Sequence, residues 1–283
     1  MVKQYSFLLA AISIIAGFSL YLTKVPRVEA ARAHSTNRDV GNDISWPQCG
    51  KTLPTKHAFG IVGVNGGLAT TTNPCLSEQL VWALQASGTT SQAKIQLYVN
   101  TANPGGLGTA SWPSSNYDSR GNLAPNPHGT CSGTDSLACA WQYGWNRAVQ
   151  DVHDRLKPAA ISAGMNPDPA VYRWWLDVET ENTWKSGSSF AFQSNRTVLE
   201  AMTAYFQSLG ASVGIYSTTY QWGQIAGSVD ASSNLYTLPS WLAGARSLNG
   251  AITNCSNKPL NGGSKVVLTQ YVSGSFDYNY ACR

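Results

Sequence analysis

The chain has 283 residues, of which 43% are hydrophobic and 12% are charged, and its formal net charge is +4 at pH 7. Four basic residues and one acidic residue lie before position 34, so the remainder carries 15 basic and 14 acidic residues, a net charge of +1. A chain this close to neutral lacks the basic surface that nucleic-acid-binding proteins use, and no nucleic-acid partner is predicted.

The first 33 residues are typical of a secretion signal. Lys3 precedes an apolar run at 7–22, which is shorter than the roughly 18 residues that a membrane-spanning helix needs. Small residues at Ala30 and Ala33 end two candidate cleavage patterns. We expect residues 1–33 to be removed, leaving a secreted monomer that is extracellular or associated with the cell wall and has no membrane contact. An uncleaved N-terminal anchor is the alternative.

Six cysteines follow the signal, and an even number in an exported chain indicates disulfides. Bonds that close the nearest loops would join Cys49 to Cys75, Cys131 to Cys139 and Cys255 to Cys282. The sequence contains no Cys-x-x-Cys pair and its four histidines are scattered, so we predict neither a metal site nor a cofactor.

Short apolar strands alternate with helices along the remainder of the chain. The hydrophobic pattern predicts strands at 42–46, 59–66, 94–100, 171–180, 212–218, 238–245, 265–272 and 276–282. It predicts helices at 76–87, 140–164 and 195–210, the second interrupted at Pro158 and the third ended by Gly210. The stretch 101–138 is rich in Pro, Gly, Ser and Asn, which predicts a long binding loop.

Strands that alternate with helices predict a parallel sheet, and eight of them in about 250 residues fit a closed β/α barrel. The expected fold is therefore α/β, an irregular TIM-type barrel formed as a single domain by residues 34–283, with few helices among its last three strands. A doubly wound open sheet is the alternative. Such a sheet should carry a glycine-rich nucleotide-binding turn after its first strand, and residues 43–50 do not have that pattern.

Two acidic residues interrupt the otherwise apolar stretch YRWWLDVET at 172–180. Asp177 and Glu179 are two positions apart, so their side chains should point to the same side near the carboxyl end of the strand, where barrel enzymes place their chemistry. Two adjacent carboxyl groups keep one proton between them near neutral pH, so one is an acid and the other is ionised. Glycoside hydrolysis requires both: the acid protonates the leaving oxygen, and the carboxylate stabilises or attacks the anomeric carbon. Such acids also pair with cations, and Arg173 and Lys185 are near in sequence.

Two further acids belong to the first and last predicted strands, which are neighbours in a closed barrel. Asp43 alone fits a turn or a helix cap equally well, and Asp277 alone fits a surface position. Together with Asp177 and Glu179 they predict four carboxyl groups at one mouth of the barrel.

Aromatic and amide side chains at strand ends, or in the loops that follow, are the predicted sugar-binding residues. Aromatic rings can stack on a sugar face, and amides can hydrogen-bond its hydroxyl or acetamido groups. The candidates are Trp46, Asn100, Trp112, Trp184, Tyr216, Trp241, Gln270 and Tyr271. Since side chains alternate along a strand, only one of Trp174 and Trp175 should face the barrel interior, and the other should pack under helices.

The order of these motifs resembles that of the glycoside hydrolase family 25 lysozymes, the Chalaropsis-type muramidases. GNDISWPQCG resembles the family's opening Gly-x-Asp-x-Ser strand, FGIVGVNGG its second strand and WWLDVET its Asp-x-Glu strand. VGIYST, PSWLAGA and LTQYVSGSFDYN resemble its Gly-Ile-Tyr, Leu-Trp-x-Ala and closing Gln-Tyr…Asp-x-Asn segments. The chain is more similar still to the exported glycoside-hydrolase-like domains of Gram-positive bacteria.

The resemblance implies an enzyme that cleaves peptidoglycan between N-acetylmuramic acid and N-acetylglucosamine. It implies that Glu179 is the general acid, that Asp177 orients or stabilises the substrate, and that Asp43 and Asp277 complete the acidic cleft. The predicted partner is therefore peptidoglycan or another cell-wall polysaccharide.

The sequence departs from the family at two strand ends. The second strand of those lysozymes ends with Lys and Glu, where this chain has Val64-Asn65-Gly66-Gly67. A Tyr-His-Phe-like end of the third strand is replaced by Tyr98-Val99-Asn100. The alternative function is therefore a non-catalytic wall protein that binds carbohydrate on a hydrolase-like barrel.

Overall fold

The computed structural model describes residues 37–107 and 112–283. The predicted secretion signal at 1–33 lies outside the described residues. Within the described ranges, no helix combines the length and the apolar character that crossing a membrane would require.

Eight strands close into a barrel in chain order, with the last strand hydrogen-bonded to the first. They are β1 (Val40–Ile44), β2 (Gly60–Gly63), β3 (Ile95–Asn100), β4 (Arg173–Asp177), β5 (Ser212–Ser217), β6 (Ser240–Ala245), β7 (Val266–Ser273) and β8 (Phe276–Ala281). All eight predicted strands are present, and the predicted single-domain α/β barrel is confirmed.

The barrel is irregular at β8, which runs antiparallel to both β7 and β1, whereas the other pairs are parallel. Only Gly274 and Ser275 separate β7 from β8, which is enough for a hairpin but far too short for a parallel crossover. Gly274 has a φ of +65°, a left-handed conformation that glycine adopts without steric cost.

In the described part of the chain, six α-helices accompany the strands: α1 (Leu76–Leu84), α2 (Leu137–Gln150), α3 (Lys157–Ser162), α4 (Ser189–Ser208), α5 (Thr219–Ile225) and α6 (Leu248–Asn254). The predicted interruption at Pro158 was wrong, because a π-helical turn at Asp151–Leu156 joins α2 to α3 without a break. Pro158 is the second residue of α3 and directly follows this π-helical turn, the kind of irregularity that accompanies a break in the regular helical hydrogen bonds.

Helix caps explain the elements that the hydrophobic pattern missed. Helix α4 begins at Ser189, before its predicted start, because the Ser188 hydroxyl accepts a hydrogen bond from the Ala191 N–H. The seven-residue helices α5 and α6 were not predicted. Each is capped in the same way, by the hydroxyl groups of Thr218 and Ser247. They are too short for a periodic apolar stripe to reveal them.

The alternation of Trp174 and Trp175 divides the hydrophobic core into an inner and an outer layer. Trp175 points into the barrel, where its ring lies 5.7 Å from that of Trp241, and Trp174 points outward and stacks on Phe206 of α4 at 4.4 Å. Gly214 on β5 makes room for the inner ring, because a β-carbon there would lie 2.2 Å from Trp175 Cζ3. The prediction that the two tryptophans face opposite sides is confirmed.

Three disulfides join the predicted partners. Cys49–Cys75 ties the β1–β2 connection to the start of α1, Cys131–Cys139 tethers the long loop to α2, and Cys255–Cys282 ties the end of α6 to the end of the chain. Each bond is expected to contribute about 2–4 kcal/mol by restricting the unfolded chain.

Helices α2 and α4 make their closest approach at Gly144. A β-carbon at this position would lie 2.2 Å from the carbonyl oxygen of Val198, a backbone atom that cannot turn aside. We therefore expect Gly144→Ala to lower the free energy of unfolding by about 2 kcal/mol, although alanine favours helices more than glycine does.

Urea denaturation of the Gly144→Ala variant measures this effect, and Gly223→Ala is its control. Gly223 lies in α5 with nothing within 4 Å of the position of its β-carbon, so alanine there should stabilise the protein by up to about 1 kcal/mol. Equal stabilisation by both substitutions would show that α2 and α4 are not packed as closely as described.

Candidate active site

A cavity of about 260 Å³ opens at the carboxyl ends of the parallel strands. Every side chain that lines it is acidic, aromatic or an amide. They are Asp43, Tyr98, Asp177, Glu179, Tyr216, Trp241, Gln270 and Asp277. All four predicted acids therefore meet at one site, together with three of the predicted sugar-binding residues.

Strand register accounts for this convergence. Asn100, Asp177, Tyr216 and Trp241 are successive partners across β3, β4, β5 and β6, so they form one layer of the barrel. On the opposite wall, Asp43 and Asp277 are direct partners in the antiparallel pair of β1 and β8. Glu179 lies two residues beyond the end of β4, above Asp177 and nearer to solvent.

Asp177 is the most deeply enclosed of the four acids, with 3% of its surface exposed. Its Oδ2 accepts a hydrogen bond of 2.8 Å from Asn100 Nδ2, while its Oδ1 has no partner among the described residues. Burial, reinforced by the charges of Glu179 and Asp43, raises the pKa of Asp177 well above its ordinary value. The surroundings of Asp177 therefore favour its neutral, protonated form.

Glu179 is only half-buried, so its carboxyl group is accessible from the cavity. Burial and the charge of Glu181 raise its pKa, although the nearby polar groups of Asp177 and Tyr216 act in the opposite direction. Trp184 Nε1 donates a 2.9 Å hydrogen bond to the Glu179 carbonyl and fixes the backbone.

The cations near these acids in sequence have other partners. Arg173 lies over the Trp175 ring, 5.7 Å from its centroid, and Lys185 pairs with Asp135. The ion pairs of the described part of the chain do not include Glu179. An explanation of Glu179 as one half of a structural salt bridge is therefore not supported.

Asp43 forms the centre of a second hydrogen-bonded group on the opposite wall. Its Oδ1 accepts hydrogen bonds from Asn279 Nδ2 at 2.6 Å and from Gln270 Nε2 at 3.1 Å, and Gln270 Oε1 accepts one from the Tyr216 hydroxyl at 2.9 Å. Burial, followed by the charge of Asp277, raises the pKa of Asp43 to about 7, and burial also raises the pKa of Asp277.

The raised pKa of Asp43 predicts a pH-dependent cost to stability. The unfolded chain loses this proton near pH 4 and the folded chain near pH 7, so the folded state binds more protons between these values and its stability falls as the pH rises through them. We expect Asp43→Asn, which removes this cost, to stabilise the protein by up to about 4 kcal/mol above pH 7 and to have little effect below pH 4.

Thermal or urea unfolding of the Asp43→Asn variant on both sides of this range tests the effect. Asp154→Asn changes an exposed acid by the same substitution and should leave the pH dependence of stability as it is in the wild type. A stability difference between Asp43→Asn and the wild type that does not change with pH would contradict the assignment.

The remaining predicted sugar-binding residues lie outside the cavity lining. Asn100 holds Asp177 from the neighbouring strand, and Trp184 supports Glu179. Trp46 is 48% exposed beyond β1, Trp112 packs against the Cys131–Cys139 bond, and the Tyr271 ring stacks on Tyr278 at 5.4 Å. Sugar binding by these residues stays a prediction.

Two residues of the site were not predicted. Tyr98 lines the cavity from β3, and burial raises its pKa well above the ordinary value, so its hydroxyl stays protonated. Asn279 donates to Asp43. Each is two positions from a predicted site residue on the same strand, Asn100 and Asp277, so the period of two would have found both.

Asn65, which stands where the resemblance led us to expect a charged strand end, has a structural role. Its Nδ2 donates to Asp151 Oδ1 at 2.9 Å, and its Oδ1 accepts from the Asn100 N–H at 2.7 Å. Arg155 pairs with the same Asp151 oxygen at 2.7 Å. This buried chain of contacts fixes the end of β3, and with it the Asn100 side chain that holds Asp177.

A larger cleft of about 840 Å³ lies outside the barrel, between α2, α4 and the loop at 228–234. Its two acids are not arranged for proton transfer. Glu200 accepts a 2.6 Å hydrogen bond from Ser233, and hydrogen bonds from Ser232 lower the pKa of Asp230. Since adjacent acids with raised pKa values occur at the barrel mouth, the mouth is the better candidate for catalysis.

Comparison with known proteins agrees with this choice. A family model described as lysozyme-like protein 1 matches residues 159–251, a stretch that contains β4 and both Asp177 and Glu179. None of the curated protein sequences compared with this chain matches it significantly.

Two solved structures share the fold across 86% of this chain and 93% of their own. One is a muramidase from Trichobolus zukalii, with 14% identity and a TM-score of 0.50, and the other is a family 25 lysozyme from Aspergillus fumigatus, with 12% identity and a TM-score of 0.52. The predicted resemblance is confirmed for the fold: the chain forms a lysozyme-like barrel of the glycoside hydrolase family 25 type.

Proposed function

We propose that this protein is a secreted glycoside hydrolase of the muramidase type, which cleaves the β-linked N-acetylated glycan of cell-wall peptidoglycan by carboxylate acid–base catalysis. The observation that carries the proposal is the group of four carboxyl groups with raised pKa values in one cavity whose lining contains no cation. The substrate class is supported by the similarity to a muramidase and a lysozyme.

Glu179 is the general acid of the proposed reaction. Its half-exposed carboxyl group can reach a glycosidic oxygen in the cavity, and its raised pKa means that it binds a proton more readily than an ordinary glutamate does. Donation of this proton allows the bond between the anomeric carbon and the leaving oxygen to break, so the leaving sugar departs as a neutral alcohol.

Asp177 stores the proton that Glu179 delivers. In the resting site the proton resides on Asp177, the more deeply buried of the two groups, beside Glu179. The unpartnered Asp177 Oδ1 is placed to accept a hydrogen bond from the acetamido N–H of a bound sugar. That bond favours the ionised form of Asp177, so the proton shifts to Glu179 only when substrate is present.

The negative charge that remains on Asp177 then lies beside the sugar ring as positive charge develops there, and this arrangement stabilises the transition state. Asp43 and Asp277 act from the opposite wall of the same cavity, where their ionised forms add to the negative potential. Trp241 and Tyr98 form part of the cavity lining. A water molecule that enters the cavity then adds its oxygen to the anomeric carbon and gives up a proton to the acid pair, which restores the acid and completes the hydrolysis.

Secretion is supported by the three disulfides, which form and persist in oxidising compartments. A secreted protein would have access to cell-wall peptidoglycan, the proposed substrate.

Release of reducing ends by the purified protein, from peptidoglycan and from chitin oligomers, tests the proposal. We expect release from peptidoglycan that rises in proportion to enzyme concentration. If neither substrate is cleaved while the protein still sediments with cell walls, the protein binds carbohydrate without cleaving it, and the proposal is wrong.

A further inference from the structure

A second cavity, of about 350 Å³, lies beside the acids on the same face of the barrel. One wall is the loop that follows β4 and the other is α5, which follows β5, so both walls belong to the mouth. The lining residues are Thr180, Asn182, Trp184, Lys185, Ser186, Tyr220, Gln224 and Ile225. Thr180 directly follows Glu179, so the cavity adjoins the proposed acid.

Hydrogen bonds hold the two walls of this cavity in place. Gln221 Nε2 on α5 donates to Thr180 Oγ1 at 3.3 Å and to Glu181 Oε2 at 3.1 Å. Trp184 is fixed by its bond to the Glu179 carbonyl, which also couples the cavity to the catalytic residue. The cavity therefore has walls fixed by hydrogen bonds and forms part of the barrel mouth.

Lys185, the one cation in the lining, is already engaged. Its ammonium group pairs with Asp135 and lies over the Phe190 ring, 4.5 Å from the centroid. A ligand in this cavity consequently meets a surface with no free charge, which favours a neutral molecule over an anion.

The remaining lining has the chemistry that recognises a sugar ring. Tyr220 is 74% exposed, so its ring contributes almost nothing to the core and offers a flat apolar surface beside Trp184. Within residues 37–107 and 112–283, the hydrogen bonds leave the side-chain polar atoms of Asn182, Tyr220 and Gln224 unused. A pyranose has an apolar face that stacks on an aromatic ring and a rim of hydroxyl groups that pair with amides.

We propose that this cavity is a glycan subsite, which binds a further N-acetylated sugar unit of a strand whose scissile bond lies at Glu179. The amides of Asn182 and Gln224 pair with its hydroxyl or acetamido groups, and Tyr220 stacks on its ring. The proposal rests on the proposed function for the placement of the scissile bond, but the binding of sugar can be measured without catalysis.

Binding of the N-acetylglucosamine pentamer, measured by titration calorimetry in the Glu179→Gln background, tests the subsite. We expect Tyr220→Ala to weaken the affinity about tenfold, as the loss of one aromatic contact does, and Gln224→Ala to weaken it severalfold. Tyr117→Ala is the matched control, since Tyr117 is also a well-exposed tyrosine, at 58%, and lies in the long loop outside the cavity.

On peptidoglycan, with Glu179 intact, the same Tyr220→Ala substitution should raise KM and leave kcat nearly unchanged, because the subsite binds ground state and transition state alike. Affinities of Tyr220→Ala and Gln224→Ala that equal that of Tyr117→Ala would overturn the subsite, and so would a failure of the pentamer to bind at all.

The two proposals fail in different ways. A protein that cleaves no glycan, but whose pentamer affinity falls in Tyr220→Ala, retains the subsite and loses the hydrolase function. A protein that cleaves peptidoglycan with the same KM in the wild type and in Tyr220→Ala retains the function and loses the subsite.

Discussion

Replacing Glu179 with glutamine is expected to lower kcat on peptidoglycan by about 10²–10⁴-fold, the range that loss of a general acid produces. The amide has the size of the carboxylic acid and keeps the contacts with Asp177 and Tyr216, but it has no proton of suitable acidity to give. The leaving sugar would then have to depart as an alkoxide, which is a far poorer leaving group.

Three measurements distinguish this loss from misfolding. The circular dichroism spectrum of Glu179→Gln should match that of the wild type, its melting temperature should be at least as high because the raised pKa of Glu179 costs stability, and it should still sediment with cell walls. Glu78→Gln, the same exchange at an exposed position on α1, should retain full activity. Retention of activity within a few-fold by Glu179→Gln would show that another group protonates the leaving oxygen.

Replacing Asp177 with asparagine is expected to reduce kcat by about 10²-fold or more and also to change its pH dependence. In the wild type the acid pair keeps its shared proton to a higher pH than a single carboxyl group would, because the pKa of Asp177 is raised well above its usual value. In the variant only Glu179 can hold a proton, and an amide N–H at position 177 stabilises its carboxylate. The decline of kcat on the alkaline side should therefore begin at lower pH.

A pH–rate profile of Asp177→Asn, measured alongside Asp154→Asn, tests this shared proton. Residual activity of Asp177→Asn should be greatest in acid, where Glu179 is protonated, while the exposed-site control should follow the wild-type profile. If the alkaline limb of Asp177→Asn lies where it does in the wild type, Asp177 does not hold the proton, and its role is limited to contact with the substrate.

The sequence was sufficient for the parts of the molecule that follow from strand period and barrel closure. Asp177 and Glu179 share a face because they are two apart, and Asp43 meets Asp277 because the first and last strands of a closed barrel must pair. Tyr98 and Asn279 follow from the same rule applied once more.

Other features depend on geometry that a strand pattern does not contain. Trp46, Trp112 and Tyr271 were correctly placed near strand ends or in loops, but the direction in which a loop turns a ring decides whether it faces the cavity. The cavity that contains Tyr220 lies between the loop after β4 and helix α5, which follows β5. Helix α5 is too short for its hydrophobic periodicity to be recognised in the sequence.

Asn65 shows how a departure from a family pattern can be misread from sequence alone. Its amide replaces an expected charge at a strand end, which looks like a lost contact with substrate. In the fold the same amide is buried between Asp151 and the Asn100 backbone. It positions Asn100, whose side chain in turn hydrogen-bonds Asp177. The residue type at position 65 therefore affects the contacts that hold the active-site strand in place. It does not prevent the four acids from lining one cavity.

Mass spectrometry of the fragments released from purified peptidoglycan tests the central claim most directly. Cleavage by the proposed muramidase site should yield disaccharide-peptides whose new reducing ends are N-acetylmuramic acid, and Glu179→Gln should release them at least about 10²-fold more slowly. Reducing ends of N-acetylglucosamine, cleavage within the peptide, or release of the same fragments by Glu179→Gln at the wild-type rate would contradict the assignment of a muramidase to the four-acid cavity.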